Sequence, residues 1–231
     1  MTEPLNAKGR PFSWSHTAVK DFEGCPRRYA EGRFYCRLPF VESEAMKWGN
    51  KVHKAAEMLI KGQGPIDQEA LKPVEKYATA MIRSGNPIES ELKITLTRDL
   101  KPTGWFAKDA WLRCAIDVVL MKLGDVANLY DFKTGGKIRA EEDQLILNAA
   151  ALSVVRPKVK LFRGSFIWTA HQEVTPIRPV TKDEIPTIWA EYMAKVKRIE
   201  EAWKYKNFPA RKSGLCPYCG VTSCEYWRPL R

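Results

Sequence analysis

The sequence predicts an α/β fold in which helices flank a central mixed sheet. Apolar residues recur at helical spacing over much of residues 12–83, and the pattern then changes to a period of two over residues 91–97. That alternation is typical of a half-buried strand. Further strand patterns follow, first as neighbours and then separated by a helical pattern. This order favours a mixed sheet covered by helices.

Each predicted element has its own signal. Residues 12–35 are predicted to be helical, with Ser15 as a candidate N-cap and an interruption at the Cys-Pro-Arg-Arg-Tyr stretch, residues 25–29. A second helix is predicted over residues 43–61, before a Gly- and Pro-rich breaker, and a third over residues 67–83. The remaining predictions are strands over 110–122, 126–134 and 161–169 and helices over 141–154 and 183–205.

Three segments are expected along the chain. Residues 1–12 are polar and contain Pro and Gly, which predicts a flexible N-terminal arm. Residues 13–206 form the core. Residues 207–231 are rich in Pro and Cys and are too few to bury a core of their own, so we expect a small separate module held by a bound group.

The composition indicates a globular protein with a polyanionic partner. There are 38 Lys and Arg residues against 27 Asp and Glu, which gives a net charge of +11 and a pI near 9.4. Such a surplus favours nucleic acid through the release of counterions. No apolar run approaches the roughly 20 residues of a membrane span, and no signal-peptide pattern begins the chain. We therefore expect a cytoplasmic location, no membrane partner and no disulfide framework among the six cysteines.

The chemically most informative stretch is Leu-Tyr-Asp-Phe-Lys-Thr-Gly at residues 129–135. Asp131 and Lys133 are two apart on a strand and point to the same side. If the chain reverses at residues 123–125, Asp117 lies opposite Asp131, with Cβ atoms roughly 4.5–5.5 Å apart. A divalent cation between two such carboxylates removes their repulsion, polarises a phosphate and activates a water. The pattern predicts a metal-dependent phosphodiesterase site, with a structural ion pair as the alternative.

His53 and Gln144 are candidates for the same site. His53 lies on the second predicted helix, one turn after Gly49, and a helix-interior glycine costs about 1 kcal/mol relative to alanine. We expect Gly49 to allow close approach of a strand or a phosphate. A lone histidine is more often a hydrogen-bonded polar residue than a metal ligand, but the downstream carboxylates favour the metal ligand here. Gln144 follows Lys133 by a short loop, so its amide is either an orienting group or a solvated first-turn side chain.

The cysteines of the C-terminal segment form a C-x2-C-x4-C pattern. Closely spaced thiolates in a cytosolic protein favour a metal over a disulfide. A fourth ligand must come from elsewhere, and Cys25 is preferred to Cys36 and Cys114. Four thiolates suit zinc or an iron–sulfur cluster, and the lack of a second C-x2-C favours the cluster. The three cysteines of the pattern are Cys216, Cys219 and Cys224.

Taken together and in this order, these motifs resemble the RecB-type branch of the PD-(D/E)XK nucleases. The resemblance is greatest to small CRISPR-associated and phage-encoded members that carry an iron–sulfur cluster, and it extends from about residue 13 to 227. The chain departs from the usual pattern at residues 113–115, where a glycine is common, and at Asn148, where a tyrosine is common. The matching motifs are residues 25–29, 48–53, 116–117, 130–135 and 144–147 and the three C-terminal cysteines.

The resemblance implies a restriction-endonuclease-like core with a Mg²⁺ or Mn²⁺ site. It also implies a cluster, 4Fe-4S in the first instance and zinc as the alternative, that joins Cys25 to the three C-terminal cysteines and so clasps the two ends of the chain. The implied metal ligands are His53, Asp117, Asp131 and the Phe132 carbonyl, with Lys133 as catalytic lysine and Gln144 as the helix glutamine of such sites.

We therefore expect a DNA exonuclease that acts on single-stranded or frayed ends. Arg27, Arg28, Arg33 and Tyr35 are candidates to guide the strand by neutralising its backbone and stacking on its bases, although arginines on a helix more often form a solvated face. The alternative is a nucleic-acid-binding or adaptor module with a vestigial site and a structural zinc. Either protein would work with a helicase, a recombination complex or a CRISPR-adaptation partner.

Overall fold

Six strands in one sheet and seven α-helices make up the part of the chain described by the computed structural model, residues 5–122, 125–139 and 141–229. The helices are α1 (His16–Gly24), α2 (Pro26–Tyr29), α3 (Glu44–Ile60), α4 (Gln68–Leu71), α5 (Glu75–Arg83), α6 (Glu142–Val155) and α7 (Ile185–Tyr205). The strands are β1 (Ile88–Leu96), β2 (Leu112–Lys122), β3 (Val126–Lys133), β4 (Leu161–Trp168), β5 (Glu173–Pro176) and β6 (Val180–Thr181). None of these helices is long and apolar enough to cross a lipid bilayer.

The sheet is mixed, as the sequence predicts. Its strand order is β1-β2-β3-β4-β5, and β6 also pairs with β4. Strands β3 and β4 are parallel and the other pairs are antiparallel. A parallel pair needs a long crossover, and α6 lies in the connection between β3 and β4. This crossover sets the N-terminal turn of α6 beside the end of β3.

Helices cover both faces of the sheet, with a separate hydrophobic core under each layer. Helices α3, α4 and α5 share one core with Val118, Phe132 and Ile167 of the sheet. Helices α1, α6 and α7 share the other core, which contains Leu129 and Phe166. The α/β architecture with flanking helices is therefore confirmed, and β3 is buried between two layers.

Several predicted elements differ in detail. The third predicted helix is two helices, α4 and α5, because Pro73 lies between them and proline cannot continue a helix interior. Residues 12–35 form α1, α2 and a π-helical turn, Ala30–Phe34, because Cys25 is extended and Pro26 begins a new helix. Ser15 caps α1 as predicted, accepting a hydrogen bond from Ala18 N at 3.3 Å. The short strands β5 and β6 were not predicted.

Both ends of the described chain pack against the same core. Residues 5–12, within the segment expected to be a flexible arm, include a bridge between Leu5 and Pro11. Phe12 is buried and meets Trp203 edge-to-face at 5.2 Å. In the C-terminal segment, Phe208 is buried against Phe34, with ring centroids 5.1 Å apart. Residues 1–4 and 230–231 lie outside the described residues.

The predicted pairing of β2 and β3 is present. Val118 pairs with Tyr130 and Lys122 with Val126, which is the register expected for a reversal centred on residue 124. Residues 123 and 124 themselves lie outside the described residues. Asp117 and Asp131 lie just beyond the Val118–Tyr130 pair, so the register brings the two carboxylates to the same end of this ladder.

Candidate active site

Three side chains form a hydrogen-bonded group where β3 ends and α6 begins. Asp131 is 5% exposed, and its Oδ2 lies 2.8 Å from Lys133 Nζ. Gln144 on α6 connects the two: its Oε1 accepts from Lys133 Nζ at 2.8 Å and its Nε2 donates to Asp131 Oδ1 at 2.6 Å. Alternation along β3 turns Asp131 and Lys133 toward α6, while Phe132 packs on the opposite side. Gln144 is therefore an orienting group rather than a solvated one.

Asp117 joins this group from β2. Its Oδ2 accepts a hydrogen bond from Phe132 N at 2.7 Å, which ties the middle of β2 to the end of β3. The same oxygen lies 3.3 Å from His53 Nδ1. His53 comes from α3 on the other layer, where its ring also meets Phe132 edge-to-face. The two helical layers thus each contribute a side chain at this end of the sheet.

Strand β2 changes the face that its side chains present at Asp117. Ile116 packs into the core that contains α6, whereas Val118 packs into the core that contains α3. In a regular strand, residues two apart share one face. Glu91 on β1 lies between the residues that pair with Ile116 and Val118, and its φ of 52° is a left-handed conformation that is uncommon outside glycine. This break in alternation coincides with the approach of Glu91 and Asp117 to His53.

Glu91 is a site residue that the sequence did not reveal. His53, Glu91 and Asp117 each offer a ligand atom, and these atoms all lie within 4.8 Å of one another. The separation of His53 Nδ1 and Glu91 Oε1 is 4.0 Å. In the sequence, Glu91 is only the first polar position of an alternating strand. Its role depends on a local backbone conformation that no pattern signals.

The directions of the pKa changes in this group indicate an excess of negative charge. Burial opposes the charged form of His53, but the hydrogen bond and charge of Asp117 outweigh it and raise the pKa to about 9. Burial, followed by the charge of Asp117, raises the pKa of Asp131 to about 6, although Lys133 lowers it. Burial also raises the pKa of Glu91. A cation bound nearby would lower all three pKa values.

The donor set fits a hard divalent cation. Asp131 Oδ2 is buried and makes no hydrogen bond to the described residues, since its contact with Lys133 Nζ is an ion pair without hydrogen-bond geometry. A buried carboxylate oxygen with an unused lone pair is costly unless another partner takes it. Carboxylate oxygens suit Mg²⁺ and Mn²⁺, and an imidazole is compatible with the transition metal. The donor atoms around Asp117, from Asp131 on one side and from His53 and Glu91 on the other, therefore fit such an ion.

The site lies between two cavities. One, of about 710 Å³, lies between β3, α6 and the start of α1, and we call it the α1 lobe. The other, of about 560 Å³, lies along α3, and we call it the α3 lobe. His53, Asp117 and Thr134 line both. Gly49 lines the α3 lobe, and a Cβ added there would come within 3.1 Å of Thr134 Oγ1. As predicted, Gly49 allows a strand to approach α3 closely.

The four residues predicted to guide nucleic acid separate into different places. Arg33 lines the α1 lobe and pairs with Asp21 at 3.0 Å. Arg27 and Arg28 instead line a cavity with the cysteines. Tyr35 packs against Phe34 and lines none of the three cavities in the described part of the chain. The α1 lobe also has basic and aromatic lining residues that the sequence did not indicate as substrate contacts. Two of them are Trp105 and Arg113.

The four predicted cluster ligands line one cavity of about 410 Å³. Cys25 Sγ accepts from Arg211 N at 3.4 Å and Cys216 Sγ accepts from Ser213 N at 3.3 Å, so the tail folds over the start of α2. Cys114 is buried elsewhere, and Cys36 does not line this cavity. The cavity is lined by Cys25, Cys216, Cys219 and Cys224.

Comparisons with solved structures support the fold. A protein from Eubacterium rectale with the provisional name exonuclease superposes with a TM-score of 0.53 at 15% identity, covering 95% of this chain and 91% of its own. An alkaline exonuclease from Laribacter hongkongensis gives 0.36 at 13% identity, covering 84% and 90%, and the protein SSO0001 gives 0.38 at 16%, covering 92% and 85%. The last two TM-scores are too low to support an argument about this chain. No functionally curated protein matches the sequence significantly.

Comparison with protein families gives a direct assignment. The model described as the PD-(D/E)XK nuclease superfamily matches residues 13–224, which is nearly the whole described chain. The matched region includes Asp117 of β2, Asp131 of β3 and Lys133, the last residue of β3. Divalent-metal use is a property of this superfamily, in agreement with the donor set found here. The chain belongs to the PD-(D/E)XK nuclease superfamily.

Proposed function

We propose that this protein is a Mg²⁺- or Mn²⁺-dependent DNA nuclease, and specifically an exonuclease on single-stranded or frayed ends. The observation that carries the proposal is the convergence of Asp117, Asp131 and Lys133 with His53 in one cleft. A structural ion pair alone would need neither the histidine from the opposite layer nor an open cavity. The family assignment supports the reaction class, and the finer substrate is inferred from the cleft.

His53, Asp117, Asp131 and the Phe132 carbonyl would hold the ion, with Glu91 as a further oxygen donor. When bound, the ion supplies Lewis-acid polarisation of the phosphate and a lowered pKa for an attacking water. Lys133 is held within reach of that phosphate by Gln144 and Asp131. Its ammonium group donates hydrogen bonds to the oxygens on which negative charge develops, and such charge stabilisation often contributes more to catalysis than any other single effect.

The walls of the α1 lobe favour a single strand. Trp105 lines the lobe, and Phe106 beside it is 92% exposed. Exposed aromatic rings next to a basic groove are the usual platforms for unpaired bases. Arg33, Arg113 and Lys133 supply the basic character of the same lobe. Within a duplex, neighbouring base pairs cover the faces on which these rings would stack, so we infer that the substrate is unpaired near the scissile bond.

The first experiment compares cleavage of end-labelled DNA by the parent protein and two variants with Mn²⁺. Lys133→Ala and Asp131→Asn are expected to lower the rate by at least about 100-fold, because each removes a group that acts on the scissile phosphate. Arg156→Ala is the matched control, since Arg156 pairs with Glu89 away from the cleft. Equal rates in all four proteins would refute the site. Retention of DNA without cleavage under any divalent ion would favour a binding module.

A second experiment separates the substrate classes. Blunt duplex, frayed duplex and single-stranded DNA, each labelled at either the 5′ or the 3′ end, are compared at equal concentration, with RNA of the same sequence. The proposal expects mononucleotides or short products from single strands and frayed ends, and slow release from blunt duplex. Cleavage of covalently closed circles at the same rate would contradict an exonuclease and indicate an endonuclease.

We also propose that the four cysteines hold an iron–sulfur cluster, 4Fe-4S in the first instance. In the described residues, no three of their sulfur atoms lie within 4.8 Å of one another, although all four line one cavity. A tetrahedral zinc with Zn–S bonds near 2.3 Å requires sulfur atoms closer than that, whereas a larger cluster spans a wider cage. Amide N–H groups directed at Cys25 and Cys216 are of the kind that stabilise cluster thiolates.

The cluster proposal is tested by anaerobic purification. A brown protein with broad visible absorption, bleached by dithionite, and about four irons per chain is the expected result. Colourless protein with one zinc per chain would end the proposal and leave a structural zinc. Replacement of Cys25 by serine should abolish the colour, whereas Cys114→Ser should not, because Cys114 is buried outside the cysteine cavity.

A further inference from the structure

Unpartnered buried nitrogen atoms gather in the α1 lobe. Trp14 is 2% exposed and Asn148 is 3% exposed, yet Trp14 Nε1 and Asn148 Nδ2 make no hydrogen bond to any described residue. His16 Nε2 is in the same condition. All three residues line the α1 lobe, and none of them takes part in the group around Lys133 and Asp131. Buried donors without partners cost about 1–3 kcal/mol each, so a ligand or ordered water must take them.

The chemistry of these atoms selects an anion. Indole Nε1 and amide Nδ2 can only donate hydrogen bonds, and a neutral imidazole can donate from one nitrogen. A cation is excluded by such a set, and a base edge presents donors as well as acceptors. Phosphate oxygens only accept. The unpartnered nitrogens of Trp14 and Asn148 are therefore matched to phosphate better than to any other part of a nucleotide.

The start of α1 adds to the same wall. Ser15 caps the helix through Ala18 N, and the N–H groups of His16 and Thr17 have no acceptor within the helix. Ser15, His16 and Thr17 line the lobe, so the positive end of a nine-residue helix faces it. A helix N-terminus supports an anion only where other groups also point to one, as Trp14 and Asn148 do here.

Arg113 provides a full positive charge. Its Nε donates to Trp105 O at 2.9 Å, which fixes the guanidinium at the edge of the lobe. Its terminal nitrogens make no hydrogen bond to the described residues. Asn148 and residues 113–115 all line the α1 lobe.

The position of Asn148 relates the lobe to the cleavage site. Gln144 and Asn148 are four residues apart on α6, so their side chains share one face of the helix about 6 Å apart along its axis. Gln144 contacts Lys133 and Asp131, which act on the scissile phosphate. Successive phosphates of a strand rise by about 3.4 Å in the duplex and by more when the strand is extended. A distance of about 6 Å therefore suits the next phosphate along the strand.

We propose that Trp14, Asn148, Arg113 and the first turn of α1 form a second phosphate subsite, which holds the non-scissile phosphate next to the one that is cleaved. The proposal rests on the proposed nuclease function for its biological meaning, but its binding chemistry is independent of the metal and of catalysis. The subsite positions the strand, and it fixes which side of the scissile bond extends toward α1. It thereby selects one polarity of cleavage.

The direct test uses metal-free protein. In ¹⁵N-labelled protein with EDTA, the indole N–H resonance of Trp14 is identified by its loss in Trp14→Phe and is followed during a titration with inorganic phosphate. We expect a saturable shift that chloride at the same ionic strength does not cause. Asn148→Asp, which places a carboxylate where the amide donates, should weaken the phosphate affinity by roughly tenfold or more. No shift in the parent protein would overturn the proposal, whatever the nuclease activity.

Kinetics provide the second readout. Trp14→Phe keeps an aromatic ring to stack on Tyr192, whose ring lies 5.8 Å away, and removes only the N–H. It should raise KM for DNA roughly tenfold with a smaller effect on kcat. Trp203→Phe is the matched control, because its N–H donates to the Tyr29 hydroxyl and Trp203 does not line the α1 lobe. Equal KM values for the two variants would overturn the subsite.

The two proposals fail in distinguishable ways. A protein that shows the Trp14 shift but cleaves no DNA would retain the phosphate subsite and lose the nuclease function. A protein that cleaves DNA without the shift would retain the nuclease function and lose the subsite. In the second case the unpartnered nitrogens of Trp14 and Asn148 are satisfied by buried water.

Discussion

The pKa of His53 is raised to about 9, and this direction makes the proposed metal binding depend on pH. In the metal-free protein the imidazole is positively charged below about pH 9, because Asp117 stabilises that charge against the cost of burial. A metal ligand must be the neutral form, so binding has to displace the proton. Asp131, with a pKa near 6, is already ionised above that value. The window in which His53 alone controls affinity is therefore about pH 6–9.

We expect Mn²⁺ to release about one proton per site at pH 7.5 and to bind roughly tenfold more weakly for each unit by which the pH falls toward 6. Isothermal titration calorimetry in two buffers with different ionisation enthalpies measures the released proton. His53→Asn supplies an oxygen donor that does not titrate, so proton release should disappear with it. Release that is unchanged in His53→Asn would show that another group carries the proton.

Gln144 acts through the groups that it holds. Its amide accepts from Lys133 and donates to Asp131, so it fixes both side chains with one planar group. Gln144→Leu should lower kcat about 10–100-fold, the usual loss when a group supporting a metal site is removed. Gln144→Glu keeps the acceptor for Lys133 but replaces the donor to Asp131 by a second carboxylate. It should therefore lower activity more at pH 8 than at pH 5.5, which a pH–rate profile would detect. Parallel profiles for the two variants would argue against this positioning role.

At the scale of elements, the contact between α3 and the end of β3 depends on Gly49. Alanine is favoured over glycine in a helix interior by about 1 kcal/mol, but its Cβ would come within 3.1 Å of Thr134 Oγ1. We expect Gly49→Ala alone to gain less than this amount or to lose stability. In a Thr134→Ala background, which removes the hydroxyl, Gly49→Ala should gain close to the full amount. Urea unfolding of the four proteins measures this coupling, and additive effects would show that the contact does not restrain α3.

Most elements of the fold follow from local patterns. Ser15 and Ser43 signal the starts of α1 and α3, and the period-two run at residues 91–97 lies largely in β1. The sequence does not predict the contacts and short strands that depend on tertiary packing and on local backbone conformation. The positive φ of Glu91, which accompanies its approach to His53, has no sequence signal, and β5 is too short to give a periodic one.

The candidate site was predictable to a similar degree. Asp117, Asp131 and Lys133 follow from strand alternation and register, and these rules hold because the strands are regular up to Tyr130. The place of Arg27 and Arg28 beside the cysteines depends on the turn at Cys25, where one helix ends and another begins. Trp14 and Asn148 are far apart in the chain and come together only in the tertiary structure.

At the scale of the whole molecule, the two ends of the chain are held together in two ways. An aromatic group joins Phe12 and Phe34, near the N-terminus, to Trp203 and Phe208, near the C-terminus. The cysteine cavity joins the start of α2 to the tail a second time. The tail beyond Phe208 has one short helical turn in the described residues and little buried surface. We therefore expect its position to depend chiefly on the cluster that we propose the cysteines bind.

This dependence predicts that the cysteine substitutions are not additive. If Cys25 and Cys219 are ligands of the same bound group, either Cys→Ser change alone releases the tail. The second change then causes no further loss of stability. Each single variant and the double variant should then lose the same stability, about 2 kcal/mol or more, or roughly 4–8 °C in Tm for a chain of this size. Thermal unfolding of anaerobically purified protein measures this, with Cys36→Ser as control because Cys36 does not line the cavity. Losses that add in the double variant would mean that the two thiols act separately, and the ends of the chain would then be joined by the aromatic group alone.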